Sequence, residues 1–416
     1  AQYYTDLSAS NTYNYDAAFD YDNAECESRI FSLWSQMYAV IANDNELISQ
    51  IDRADKTLFT GRNYHLIRGE AYALRALLHF DLARLWGESY AANPNHKCIP
   101  YVATVGPDVS PLSTVKEVMD KALADLAVAQ EELAVDPVVE ASAQYKDADT
   151  NYERDRTFKM NYYAVRLLQA RIHLYMGNYD KAAEAAADVM AQTTFQWTPE
   201  IEITTSEVSR RNTVFSEELV FCLYDTSIRS RYSNLFTGSI GSLRMSESSY
   251  QAVYELYNAG YSGDYRYAYQ NTELDGSHYS TKLAQPSSGN PAFMFRIPMM
   301  RLSEAYYIAA ECAIERDGDT SRAMELLQQV RTHRNLTDPI SATISKEGAR
   351  DEIRKEYTKE FMCEGQLYYY FKRLNYKAIP VYTAEGDAVK VTYVTPRYTF
   401  PLPDNEIEYG GRDKEQ

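Results

Sequence analysis

No stretch of this chain approaches the 18 or more consecutive apolar residues that a membrane-spanning helix needs, which excludes a helical span. Cysteine is sparse and poorly spaced for chemistry. Cys26, Cys98, Cys222, Cys312 and Cys363 are odd in number and far apart, with no CxxC pair. That excludes a dense disulfide framework and a cysteine zinc site, and leaves buried thiols as the expected reading, with one disulfide still open. The six histidines are scattered and form no HExxH. A basic excess is also missing: 42 Lys and Arg stand against 59 Asp and Glu, a net charge of −17. A nucleic-acid partner is thereby excluded, and so is direct docking on anionic lipid. There is no GxSxG, no GxGxxG and no phosphate-binding loop. The 59 acids offer many carboxylate pairs, but nothing in their order singles one out for glycoside hydrolysis. Asp16, Asp20, Asp22 and Asn23 lack the offsets of a calcium loop. No catalytic residue, metal ligand or cofactor is therefore assigned, and the chain is expected not to be an enzyme.

What is present is a core. The chain has 416 residues with 45% apolar content, enough for one large domain or two or three ordinary ones. Tyrosine is the compositional outlier, 37 against 3 Trp and 14 Phe. Its flat apolar face and polar tip suit wet binding surfaces and half-buried helix seams alike.

Helical periodicity dominates. Helices are predicted around Phe31–Asp52, Tyr64–Trp86, Thr114–Leu133, Phe158–Met176, Ala182–Met190, Arg301–Arg316, Ser321–Arg331 and Lys346–Leu374. In Arg68–Gly87, the residues Ala71, Leu74, Leu78, Leu82 and Leu85 form one apolar stripe. Gly87 stands where a helix C-terminus favours positive φ. Ser113 or Thr114 is a candidate cap, with Glu117 in the first turn. Two hairpins look alike: Ala183 aligns with Ala323, and Ala170 with Ala310, thirteen residues apart in both. This is the tetratricopeptide device of helix, tight turn and helix, with a small residue at the crossing. Loop-rich stretches fill about 1–25, 88–112, 134–157, 191–300 and 376–416. Leu219–Tyr224 and Val389–Val394 carry short strand patterns. A structureless block of such length is improbable in a compact domain, so 191–300 is expected to form a lobe of short strands and helices.

The run Glu70-Ala71 … Leu74-Arg75-Ala76 … Phe80 … Leu82 … Arg84 … Trp86-Gly87 resembles the signature helix of the SusD/RagB family of outer-membrane nutrient-binding lipoproteins. Further matches follow in order: Trp34–Asn43, Cys98-Ile99-Pro100-Tyr101, Pro298–Glu311, Lys359–Gly365 and Phe400–Ile407. After Glu364-Gly365 the chain departs from the family pattern, with Leu367 and Tyr370 where an Arg and an Asp are usual. The resemblance implies a mostly-α fold. It would be a tetratricopeptide-like helical-hairpin scaffold (about 26–87, 113–190 and 301–374) with an irregular lobe of loops, short helices and short strands at about 191–300. All of 1–416 would then be a single SusD-like domain, with an upstream N-terminal segment absent. The resemblance also implies capture of an extracellular nutrient, most plainly an oligosaccharide or polysaccharide, for a TonB-dependent outer-membrane transporter. The protein would sit on the outer-membrane cell surface through an N-terminal lipid anchor outside this chain. A peptide-binding member of the family, or a helical-repeat interaction scaffold, are the alternatives. Arg75, Asp81, Arg301, Glu304, Glu360 and Glu364 are expected to form structural charge pairs.

Sugar recognition needs flat aromatic platforms ringed by hydrogen-bonding groups. Three clusters offer them. The first is Tyr13, Asn14, Tyr15, Phe19 and Tyr21, with Asn11. The second is Tyr232, Asn234 and Phe236. The third, weaker because Asp264-Tyr265-Arg266 looks structural, is Tyr261, Tyr265, Tyr267 and Tyr269. The ligand-binding candidates are Tyr13, Asn14, Tyr15, Tyr21, Tyr232 and Phe236.

Overall fold

The computed structural model describes residues 11–140, 152–238, 241–341, 343–385 and 388–412. The first ten residues of the expected N-terminal loop, and part of the expected 134–157 loop, lie outside them. The chain divides into two compact units, each considered by itself. A helical unit comprises the described residues of Phe19–Thr194, Phe371–Tyr376 and Arg397–Gln416, and a mixed unit those of Ala1–Ala18, Phe195–Tyr370 and Lys377–Pro396.

The helical unit stacks five helices: α1 (Ala24–Ile51), α2 (Asn63–Trp86), α3 (Val115–Glu132), α4 (Tyr162–Tyr175) and α5 (Tyr179–Ala191). Successive helices pack on one another. Asn23 caps α1 by accepting from Glu25 N. Thr114 and Glu117 close a reciprocal capping box on α3. A short ladder, β1 (Lys97–Pro100) with β2 (Leu112–Thr114), leads into α3.

Two expectations for α2 are corrected. Its buried surface is not the single predicted stripe, because Leu74 and Leu78 are only half-buried while Ala73, Arg75, Ala76, Leu77, His79 and Phe80 are buried. Flanked by α1 and α3, and touching α4, the helix hides most of its circumference. Gly87 is also not left-handed: its φ is −90° and ψ 159°. Glycine is needed there for space, since a Cβ would lie 2.7 Å from both Ala83 O and Val115 Cγ2.

Several polar groups inside this unit are paired. Arg75 forks onto Asp125 at 2.7 and 2.6 Å and reaches Asn45 at 3.1 Å. Asp81 pairs with Arg84 one turn on. Val102 N donates to His79 Nε2 at 3.0 Å, which leaves Nδ1 to donate to Arg75 O at 2.9 Å. Burial pushes the His79 imidazole down to about 3, so it stays neutral.

The mixed unit contains β3 (Leu219–Tyr224), α6 (Ile228–Leu235), β4 (Met245–Ser246), α7 (Glu247–Tyr254), β5 (Asn271–Leu274), β6 (Ser277–Ser280), β7 (Arg296–Arg301), α8 (Leu302–Cys312), α9 (Thr320–Thr332), α10 (Lys346–Glu360) and the start of α11 (Gln366–Arg373), then β8 (Ile379–Glu385) and β9 (Ala388–Val394). All the ladders are antiparallel: β3 with β7, β6 between β4 and β5, and β8 with β9. The 191–300 block does fold into short strands and helices.

The two matching hairpins are α4–α5 and α8–α9, turned at Gly177 (φ +76°) and Gly318 (φ +68°). Their registers differ by one residue from the sequence alignment. Ala170 and Ala310 are both buried, but Ala182, not Ala183, is the buried counterpart of Ala323. Ala313–Asp317 forms a π turn at the end of α8, which lengthens the second copy by one residue. The predicted 346–374 helix is likewise two helices. Cys363 (φ +65°) and Gly365 (φ +72°) break it and release Glu364.

That break serves a buried charge lattice of six cations (Arg266, Lys282, Arg301, Arg331, Arg334 and Lys359) and six anions (Glu218, Glu255, Asp264, Glu356, Glu360 and Glu364). Glu360 accepts from Arg334 at 2.6 and 3.0 Å, Arg266 at 3.1 Å and Ser303 at 2.9 Å. Burial alone would raise its pKa, but Arg334, Arg266 and Arg301 hold it well below the usual carboxylate range. Where the family pattern would continue this polar network, Leu367 and Tyr370 are buried, and Tyr370 lies on Tyr357 with ring centroids 4.7 Å apart.

Candidate functional site

Within the mixed unit, the segment that feeds β7 is a closed loop. Gln285 Oε1 accepts from Phe295 N at 2.9 Å, and its amide donates to Leu283 O at 3.1 Å, so one side chain ties both ends. Gly289 is forced by crowding, because a Cβ there would run into Met294 Sδ and reach Pro286 O at 3.1 Å. Phe293 sits on this loop.

The loop borders a cleft of about 680 Å³, within the range of small-molecule sites. Three rings line it: Tyr232 from α6, Tyr269 just before β5, and Phe293. Ser209, Thr272 and Asn290 add hydroxyl and amide groups. Asn290 Oδ1 accepts from Ala292 N at 3.1 Å. Arg211 lies over Tyr269, with its guanidinium carbon 4.9 Å from the ring centroid, and Arg211 Nε donates to Thr205 O at 3.0 Å. Lys282 lines the opposite chemistry: its ammonium donates to Glu360 O at 2.6 Å and to Glu364, so the lattice anchors the site. The Tyr232 hydroxyl is pushed up to about 12 by burial, with Cys363 adding to the rise, and stays a neutral donor and acceptor. Flat rings edged by hydroxyl, amide and guanidinium groups can stack apolar sugar faces and hydrogen-bond their rims.

A sequence model described as the SusD family matches residues 141–409. The chain belongs to the SusD family. A second model, described as starch-binding and associating with the outer membrane, matches residues 1–148 of this SusD-family protein. The SusD-like protein P38 of Formosa agariphila is 24% identical, covering 89% of this chain and 77% of that protein. A SusD superfamily structure from Bacteroides vulgatus superposes with a TM-score of 0.74 at 21% identity, covering 97% of this chain and 88% of that one. A SusD-like carbohydrate binding protein, also from Bacteroides vulgatus, gives 0.71 at 19% identity, covering 98% and 88%. The mostly-α fold is shared with both.

The candidates named from sequence fall in different places. Tyr232 lines the cleft, and Phe236, itself buried, stacks behind it with centroids 5.8 Å apart. Tyr13 (37% exposed) and Tyr15 (42%) flank Asn14, the first residue of a single helical turn, outside the cleft lining. Buried Asn11 donates to Gly241 O at 2.9 Å, and Leu243 N to Leu235 O at 2.7 Å, so this segment is tied to the loop that follows α6.

Tyr21 departs from the platform expectation. It belongs to the helical unit and is only 4% exposed, with its ring edge-on to Phe400 at 4.8 Å. Phe400 in turn meets Trp86, and Trp86 meets Trp34. Tyr21 is part of an aromatic core.

In the third cluster, Tyr261 accepts from Arg331 at 3.0 Å and Tyr265 is buried, while Tyr269 reaches the cleft. Sequence reasoning missed Phe293, Asn290, Thr272 and Arg211. Their only signal was membership of the loop-rich block.

Proposed function

We propose that this SusD-family protein captures an oligosaccharide or polysaccharide at the outer-membrane cell surface and passes it, unchemically altered, to a TonB-dependent outer-membrane transporter. A lipid anchor upstream of this chain would hold it there. The observation that carries the reading is the cleft, with the rings of Tyr232, Tyr269 and Phe293 set among hydroxyl and amide groups. The family relationship supports it, as does the structural likeness to a carbohydrate binding protein of Bacteroides vulgatus. Tyr232 is the stacking platform, with Phe236 holding its ring. Tyr13, Asn14 and Tyr15 form an outer contact for a longer chain, and Tyr21 acts through packing.

The test is a thermal-shift screen against polysaccharides, oligosaccharides and short peptides, followed by calorimetry on hits. A ligand of the folded state raises Tm by mass action. A carbohydrate hit is expected, weakened at least about tenfold by Tyr269→Ala or Tyr232→Ala, the loss of about one stacked ring. Glycans recovered afterwards should be unchanged in size. A peptide hit would overturn the substrate class. A carbohydrate hit indifferent to both substitutions but lost with Tyr13→Ala would move the site to the N-terminal segment.

A further inference from the structure

We infer that the glycan taken by this cleft is anionic, bearing carboxylate or sulfate groups, and that Arg211 is the residue that selects it; this rests on the cleft being the glycan site. The chain as a whole carries a net charge of −17. Yet the described residues lining the cleft include Arg211, Lys282 and Arg296 and not one Asp or Glu.

These cations are not equivalent. Lys282 is neutralised by Glu364 inside the charge lattice. Arg296 is turned onto its own loop, donating to Ala292 O at 2.7 Å. Arg211 makes no ion pair among the described residues. The acids near it in sequence are committed elsewhere: Glu207 to Arg210, Glu202 to Asn212, and Glu200 to Tyr265. Its orientation comes from Thr205 O and the Tyr269 ring, neither of which cancels charge.

A neutral sugar stacked in the cleft would strip water from this half-buried guanidinium and return nothing. That is a cost. A carboxylate or sulfate offers two oxygens to the guanidinium fork and offsets it. Arg211 on Tyr269 thus joins a stacking surface to a charge-reading group in one place.

Calorimetry on matched probes tests this. Oligogalacturonate is paired with its carboxyl-reduced form, and a sulfated galacto-oligosaccharide with its desulfated form. One charged probe should bind at least about tenfold tighter than its neutral partner. Arg211→Gln should erase most of that ratio, while Arg211→Lys keeps part of it, and unchanged Tm in both variants checks folding. Whichever pair discriminates names the anion. If charged and neutral partners bind alike, or the ratio survives Arg211→Gln while Tyr269→Ala abolishes binding, the inference falls and the glycan reading stands. If only neutral glycans of the wider screen bind, the result is the same. If peptides bind and no glycan does, both fall.

Discussion

Asp44 shows how far one buried side chain can set a pH response. It lies on α1, buried, and its Oδ2 has no hydrogen-bond partner among the described residues. Burial pushes its carboxyl up to about 7; Arg75 opposes the rise and Asp125 adds to it. The folded state therefore holds this proton more tightly than the unfolded chain does. The stabilisation is fully present below about pH 4 and is lost as pH rises through about 7. Asp44→Asn fixes the neutral form. Relative to wild type, its stability should climb between pH 4 and 7 by up to about 4 kcal/mol, at about 1.4 kcal/mol per pKa unit. Urea unfolding at pH 4, 5.5 and 7 measures this, and parallel curves for the two proteins would refute it. The family resemblance did single out Arg75 for a structural charge pair, because it stands in the signature run Leu74-Arg75-Ala76. Asp44 and Asp125 carried no such mark. Their burial depends on how α1 and α3 meet α2, which no local pattern encodes.

At the scale of elements, two glycines that look alike in sequence do different work. Gly87 and Gly318 both follow a helix, and both invite a positive-φ reading. Only Gly318 adopts it, with open space around its Cα; Gly87 is extended and hemmed in by Ala83 O and Val115. Gly318→Ala should cost about 1–2 kcal/mol through left-handed strain alone. Gly87→Ala is an overpacking change and should cost about 1–3 kcal/mol. Val115→Ala, by removing one obstructing group, should recover part of the Gly87→Ala loss and none of the Gly318→Ala loss. Chemical denaturation of the three single and two double variants decides the matter, and equal behaviour of the two glycine variants in the Val115→Ala background would refute the distinction. The hairpins themselves were legible, since period 3.6 and turn glycines are local signals. Their register was not, because the π turn at Ala313–Asp317 changes a count without changing a pattern. The break at Cys363–Gly365 was missed for a related reason. Glu364 leaves the helix to reach Arg301 and Lys282, partners 63 and 82 positions away along the chain.

For the molecule as a whole, charge is what the sequence states most plainly and locates least. Arg301, Glu360 and Glu364 were readable as structural through the family pattern. Arg334 and Glu218, which complete the lattice from 116 positions apart, were not. The cleft was unreadable in the same sense, since its lining comes from separate short segments between residues 208 and 296 that share no period. The lattice has a consequence for the whole molecule. Six buried cations balance six buried anions, so the surplus of 17 negative charges lies outside it. Surplus charge of one sign repels itself and destabilises the compact state. Salt shortens the reach of that repulsion, from about 30 Å at 0.01 M to about 8 Å at 0.15 M, while pairs sealed from solvent are screened far less. Raising NaCl from about 0.01 to 0.15 M at neutral pH should therefore raise Tm. The rise should flatten once the screening length falls below the spacing of surface charges. Scanning calorimetry across that range measures it. A Tm that falls with salt would mean that exposed pairs such as Arg62–Glu140 and Arg350–Glu315 outweigh the net repulsion, and that stability is carried at the surface instead of in the lattice.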